Sequence, residues 1–186
     1  MEINTKRLKL REITQQDFQA VHEYASDPET VKYMSFGPNT EEETQEFINR
    51  NLKRQQEQPR TDYGFGIILK HEDSFIGACG IHSVTEIQAS IGYILNRRYW
   101  GHGYATEAAT ALVDYLFSEL GVHRVYASCD PRNKASIRVL EKVGMSLEGR
   151  LRENMNIRGE YRDSLIFGLL VNGWKTKNHN IIHNSP

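Results

Sequence analysis

The stretch of this 186-residue chain best suited to chemistry is Arg97-Arg98-Tyr99-Trp100-Gly101-His102-Gly103-Tyr104-Ala105-Thr106-Glu107. An apolar run, Ile91 to Leu95, precedes it, and a long amphipathic run begins at Tyr104. The order is strand, glycine-rich loop, helix start. Arginines stand at the mouth of the loop and glycines at its apex. Glycine adopts positive φ readily and has no Cβ to hold a ligand off the backbone. Free N–H groups in such a turn, continued by a helix N-terminus, make a concave anion site. The first reading is a phosphate-binding loop; the competing one is a tight strand-to-helix turn with solvated arginines.

Other phosphate loops are excluded by what is missing. No Gly-Lys-Ser/Thr follows, so this is not the nucleoside-triphosphate P-loop, and a dinucleotide loop needs a third glycine early in a βαβ unit. What remains is Arg98-x-x-Gly101-x-Gly103. Elsewhere the chemistry is thinner. Cys79 and Cys129 lie far apart, each in an apolar run, which suits buried free thiols in a reducing compartment better than a disulfide or a nucleophile. The seven histidines are scattered without metal-ligand spacing, so no metal is expected. Net charge is −1 and 39% of residues are hydrophobic, which points neither to nucleic acid nor to a membrane surface. Met1 to Leu10 carries charges and no apolar segment, so no signal peptide is expected and the cytoplasm is the expected compartment.

The loop must be held by the elements on either side. Ala105, Ala108, Ala109, Leu112, Val113, Leu116, Phe117 and Leu120 keep a helical period. Glu107 sits in the first turn, where the dipole favours an acid, and Gly121 is placed to end the helix. Before it, Tyr63 to Leu69, Phe75 to Ile81 and Ile91 to Leu95 read as three strands joined by polar turns, hence antiparallel. After it, Val122 to Cys129 reads as a strand, and the crossover makes it parallel to the Ile91 run. Upstream, Arg7 to Ile13 is a first strand. Thr14 with Asp17 opens a helix that Pro28 stops, and residues 29–34 form a second helical piece. Thr40 with Glu43 is a capping box for a thinly apolar helix over residues 41–56. Downstream, Asn133 caps a short helix closed by Gly144. Met145 to Leu151 is a strand, residues 154–160 a polar turn, Ser164 to Leu170 the last strand, and Trp174 the anchor. Residues 1–174 then form one domain and 175–186 a loose tail.

Several local patterns recur in the order of a known family. They are Thr5-Lys6-Arg7-Leu8-x-Leu10-Arg11, Phe75-Ile76-Gly77 with Gly80, Ile91-Gly92-Tyr93 before the loop, and the loop itself. Asn133-Lys134-Ala135-Ser136 with Gly144, Gly159-x-Tyr161-x-Asp163 and Trp174 complete the set. Together they resemble the GNAT superfamily of acetyl-CoA-dependent N-acetyltransferases, in its RimJ/RimL-type branch; Met145 stands where phenylalanine is usual. The resemblance implies an α/β fold: a mixed, mostly antiparallel twisted sheet of about seven strands flanked by helices, with strands four and five splaying to admit pantetheine.

The resemblance also implies roles. Amides around Gly101, His102, Gly103, Tyr104 and Ala105, with Thr106, would hold the pyrophosphate of acetyl-CoA. Arg97 and Arg98, with Arg132 or Lys134, would neutralise phosphate charge. The strand ending at Leu95 would pair with the pantetheine amides and offer an oxyanion donor. Ser136 would hydrogen-bond the departing thiolate, or be a plain first-turn residue. Asn133 would bond pantetheine, cap its helix, or both. Tyr93 would line the acceptor pocket or pack in the core. The family often has a glutamate just before Ile91-Gly92-Tyr93, where this chain has Ser90. Glu86 or His82 would then take the amine proton through water, unless each is an ordinary surface residue. The expected reaction is attack of a primary amine, a protein N-terminus or a small molecule, on the thioester by a monomer or homodimer. The rivals are a catalytically silent CoA-binding regulatory module and a nucleotide-binding protein unrelated to CoA.

Overall fold

A computed structural model describes residues 1–176. One sheet runs through it. Its strands are β1 (Glu2–Asn4), β2 (Leu8–Glu12), β3 (Tyr63–Leu69), β4 (Ser74–His82), β5 (Gln88–Leu95), β6 (Arg124–Cys129), β7 (Ser146–Ile157) and β8 (Glu160–Leu170). Their spatial order is β1-β2-β3-β4-β5-β6-β8-β7. All neighbours are antiparallel except β5 and β6, which are parallel. The helices are α1 (Phe18–Ala25), α2 (Glu41–Arg54), α3 (Tyr104–Ser118) and α4 (Lys134–Val143). The eight strands exceed the expected seven by β1, which at three residues is too short to show a period.

Pairing register sorts the side chains onto two faces. Gly77, Cys79 and Ile81 of β4 lie opposite Leu95, Tyr93 and Ile91 of β5. On this face α3 and α4 pack through Ala108, Ala109, Leu112, Leu116 and Leu140, all within the larger core cluster. The alternate residues, Ala78, Gly80 and His82, lie opposite Ile94, Gly92 and Ser90. They face α1 and α2, whose Val21, Tyr24, Ala25 and Ile48 form a second cluster with Ile13 and Ala78.

Local chemistry starts and stops these elements as the sequence predicts at several points. Thr14 and Asp17 form a capping box, as do Thr40 and Glu43. Asn133 caps α4 by accepting from the Ser136 amide at 3.0 Å, and Gly144 closes it at φ 105°. The indole of Trp174 donates to Asp114 Oδ1 at 2.6 Å and lies against Phe117, anchoring the end on α3. Lys175 and Thr176, expected in the tail, continue a helical turn; residues 177–186 lie outside those described.

Two expectations need correction. Residues 29–34 are turns, not a helix. Asp27 accepts from both the amide and hydroxyl of Thr30, a local bond that competes with helix. The polar segment 154–160 is largely strand, and the turn is confined to Arg158 and Gly159, at φ 53° and 81°. Two positive φ values in succession suit a two-residue hairpin that matches strand twist.

Parallel pairing of β5 with β6 covers only Gln88 to Ser90 against Arg124 to Tyr126. From Ile91 to Leu95, β5 keeps its β4 partner but has no strand on its other edge. The expected splay is therefore present, between the strands numbered five and six once β1 is counted.

Candidate active site

The loop between β5 and α3 is built by side chains that fix its entry and leave its apex open. Asn96 Oδ1 accepts from the Arg98 amide at 3.1 Å, and the Trp100 indole donates to the Leu95 carbonyl at 2.8 Å. Gly101 and Gly103 then adopt φ 82° and 79°. A Cβ on Gly101 would meet nothing within 4 Å, and one on Gly103 only an Arg7 nitrogen at 3.6 Å. Among the described residues, no protein acceptor takes the N–H groups of Gly101, His102, Gly103, Tyr104, Ala105 or Thr106. Six amides without a protein acceptor, at the start of a 15-residue helix, are the donor set that an anion such as a diphosphate requires.

A clamp from β2's approach holds this cradle, and sequence reading missed it. The Glu107 carboxylate accepts from the Thr5 hydroxyl at 2.6 Å, the Arg7 amide at 2.8 Å and Arg7 Nε at 2.6 Å. Arg7 Nη1 continues to the His102 carbonyl at 2.9 Å, and its guanidinium lies 4.6 Å from the Tyr104 ring centre. The His102 ring stacks on Tyr104 in turn. Burial alone would raise the pKa of Glu107, but these donors together hold it below the usual carboxylate range.

The basic residues expected at the phosphates have protein partners. Arg98 reaches Glu23 of α1 at 2.9 Å, and Arg97 lies 3.6 Å from Asp27. Both arginines remain largely exposed beside the loop. Arg132 pairs with Asp130 and Glu160, at 2.8 and 2.9 Å, and Lys134 donates to the Pro131 carbonyl.

At the open edge of β5 two side chains meet. The Tyr93 hydroxyl lies 3.0 Å from Ser136 Oγ and 3.3 Å from the Ser136 carbonyl. Cys129, the last residue of β6, is half-buried. Burial pushes its thiol up to about 11, so it is no ready nucleophile. Tyr93 is thus packed in the core with its hydroxyl against α4: burial raises its pKa strongly, and its hydroxyl stays a donor. Cys79 and Cys129 are free thiols, the first buried and the second half-buried.

The residues considered for proton removal part company. Glu86 is exposed in the β4–β5 turn and makes no hydrogen bond or ion pair among the described residues. From Gln88 to Tyr93 the extended strand spans roughly 17 Å, so Glu86 is remote from Ser136. Ser90 donates its hydroxyl to the His82 carbonyl at 3.3 Å. His82 lies on the α1/α2 face with Nδ1 3.2 Å from Asp62 Oδ1. Over the same face, the α1–α2 loop is tied to the β7–β8 hairpin. Arg158 donates to the carbonyls of Gly37 and Lys32, and Arg162 to that of Lys32. Among the described residues there is no group of histidine, cysteine and acidic side chains able to hold a metal, and no helix long and apolar enough to cross a membrane.

Comparison with known proteins agrees with this geometry. The Acetyltransferase (GNAT) domain family matches residues 7–146. The chain is 38% identical over 175 residues to "Uncharacterized N-acetyltransferase YnaD" of Bacillus subtilis (strain 168), covering 94% of this chain and 99% of that one. A GNAT-family acetyltransferase of Bacillus anthracis shares the fold with TM-score 0.82 and 35% identity, over 92% of this chain and 99% of that one. RimL, a ribosomal-protein α-N-acetyltransferase solved with coenzyme A, shares the fold alone, with TM-score 0.81 and 20% identity over 93% and 99%. A free-amide cradle at the head of α3, a wedge beside β5 and this kinship make the chain a member of the GNAT family, an acetyl-CoA-dependent N-acetyltransferase.

Proposed function

We propose that the chain, as one domain over residues 1–174, acetylates the α-amine at the N-terminus of a peptide or protein in the cytoplasm. The cradle amides, with Thr106, Arg97 and Arg98, take the diphosphate. The free edge of β5 from Ile91 to Leu95 takes the pantetheine amides, and Asn133 keeps α4 in place while capping it. Acetyl-CoA supplies an activated acyl group, and an uncharged amine attacks it. Ser136, backed by the Tyr93 hydroxyl, is set to give a hydrogen bond to the departing sulfur.

The observation that carries the choice of acceptor is the pairing of carboxylates around the α1/α2 face. Glu23 is held by Arg98, Asp27 lies near Arg97, and Asp62 lies between His82 and Arg54. A polyamine needs unneutralised carboxylates. An α-amine does not, and with a pKa near 7.7–8.0 it needs less deprotonation than a lysine amine near 10.4.

The test is acetyl-CoA consumption with trialanine, Nα-acetyl-lysine amide and spermidine. Trialanine should be turned over fastest, and Gly103→Trp, which fills the cradle, should abolish turnover. Spermidine acetylation with inert trialanine would overturn the choice of acceptor. Ser90, where the family often has glutamate, favours a second reading as a silent CoA-binding module. Tight CoA binding without turnover of any amine would establish that reading instead.

A further inference from the structure

His82 is the last residue of β4, and its ring folds back over a gap that glycines leave in the sheet. Gly64, Gly80 and Gly92 are successive cross-strand neighbours on β3, β4 and β5. A Cβ built on Gly80 would lie 3.0 Å from both Cε1 and Nε2 of His82, and one on Gly92 would lie 3.7 Å from Nε2. The ring therefore reaches across Gly80 to Gly92. Gly92 is two residues past the last β5–β6 pair, Ser90 with Tyr126, and so stands on the open edge of the wedge.

The hydrogen bond at the other ring nitrogen sets the tautomer. An ionised carboxylate only accepts, so the contact of Nδ1 with Asp62 at 3.2 Å places a hydrogen on Nδ1. In the neutral ring, Nε2 then carries a lone pair. Among the described residues Nε2 has no hydrogen-bond partner, and the side chain is 43% exposed. Asp62 contacts the ring, Arg54 of α2 lies behind it at 3.6 Å from Asp62, and Arg60 donates to the Asp62 carbonyl at 3.0 Å; opposite His82 and Gly80, β5 presents the neutral Ser90 and Gly92. Tyr93 and Ser136 meet on the other side of the sheet, because Tyr93 pairs with Cys79 and points to α3 and α4.

We propose that His82, oriented by Asp62, is the base that takes the proton of the attacking amine, directly or through one water, from the face opposite Tyr93 and Ser136. This rests on the acetyltransferase reading above. An ammonium gives one proton to Nε2, and the freed nitrogen lone pair forms the N–C bond. The C–S bond breaks with its electron pair passing to sulfur, which takes the second nitrogen proton by way of the Ser136 hydroxyl. His82 returns its proton to water.

The test combines a kinetic and a spectroscopic reading on the full chain. With trialanine as acceptor, or spermidine if trialanine is inert, His82→Gln should lower kcat/KM at pH 7 on the order of 100-fold. The deficit should shrink as rising pH deprotonates the amine unaided. Asp62→Asn should lose on the order of tenfold and displace the pH profile. Both variants should bind CoA within about twofold of the parent, since neither touches the cradle. ¹⁵N NMR of the parent at pH 8 should show the hydrogen of His82 on Nδ1. Unchanged kcat/KM and pH profile in His82→Gln, or a hydrogen on Nε2, would overturn the proposal. If no amine is turned over at all, the acetyltransfer reading fails by itself, and the tautomer still decides whether Nε2 offers a lone pair.

Discussion

Arg7 Nε donates to Glu107 Oε2 at 2.6 Å across a sequence separation of 100 residues. The pair joins the start of β2 to the first turn of α3. The same guanidinium reaches the His102 carbonyl, so one side chain ties the helix and the loop before it to the sheet. The cradle amides are held in one arrangement before a ligand arrives, and preorganisation of that kind raises affinity by reducing the ordering cost of binding.

Arg7→Lys keeps the charge but loses the planar fork that serves two acceptors at once. It should weaken CoA binding by on the order of tenfold, about 1.4 kcal/mol, with the sheet intact. Calorimetric titration of CoA and far-UV dichroism together check this. CoA affinity equal to the parent's would mean the loop holds its shape without the clamp.

Glu107 links the clamp to pH. Its folded pKa is lowered, with the donors from Thr5 and Arg7 outweighing burial. A lowered pKa means the charged form is the one the fold prefers. Its stabilisation is therefore fully present above the ordinary carboxylate range, near 4.3, and is lost as pH falls through the lower folded value. Glu107→Gln should lower Tm at pH 7 and bring the variant closer to the parent as pH drops toward 3. A constant Tm gap across that range would exclude the linkage.

The cradle was legible in the sequence because its causes are local. Glycines needing positive φ, a helix start and a preceding strand all lie within the run from Ile91 to Glu107. The clamp was not, because nothing near Arg7 announces a partner so far along the chain. Tyr93 was ambiguous for a related reason: strand period gives its face but not that its hydroxyl reaches Ser136. β7 runs to Ile157, past the expected end at Leu151, and most of its residues are exposed, so no apolar alternation marks its length. The tie between Asp27 and Thr30 defeated a helical reading of the segment after Pro28 in the same way, through side-chain bonds that a periodicity does not register. Glu86 is close to Ser90 in sequence, yet it lies exposed in the β4–β5 turn, on the far side of the paired residues Gln88 to Ser90 from the open edge of β5.

Arg98 carries a test of competition. Its guanidinium pairs with Glu23 at 2.9 Å, with side chains 74% and 44% exposed. An exposed pair of this kind contributes at most about 1 kcal/mol, far less than a phosphate offers the same fork. Glu23→Gln should therefore tighten CoA binding about two- to fivefold at low salt, and the gain should fade at 0.5 M NaCl as screening increases. Weaker binding in this variant would mean that Glu23 orients Arg98 for the ligand instead of competing for it.

Gly92 separates packing from chemistry at the α1/α2 face. Its Cβ position has only His82 Nε2 at 3.7 Å and His82 Cδ2 at 3.9 Å nearby, an ordinary van der Waals separation. Gly92→Ala should therefore fold with Tm close to the parent's. Gly80→Ala offers the contrast, since its methyl would meet the Tyr63 carbonyl at 2.9 Å and the His82 ring at 3.0 Å, and it should destabilise. A methyl on Gly92 stands between Nε2 and the open edge of β5, where an amine or its bridging water must approach. If Nε2 takes the proton, Gly92→Ala loses on the order of tenfold in kcat/KM while its CoA affinity and Tm stay near those of the parent. If the ring only fills space over the glycine gap, one more methyl improves that filling and activity is unchanged. Steady-state kinetics beside a thermal melt of the two alanine variants distinguishes these outcomes, because steric damage to the fold lowers Tm and obstruction of a base does not.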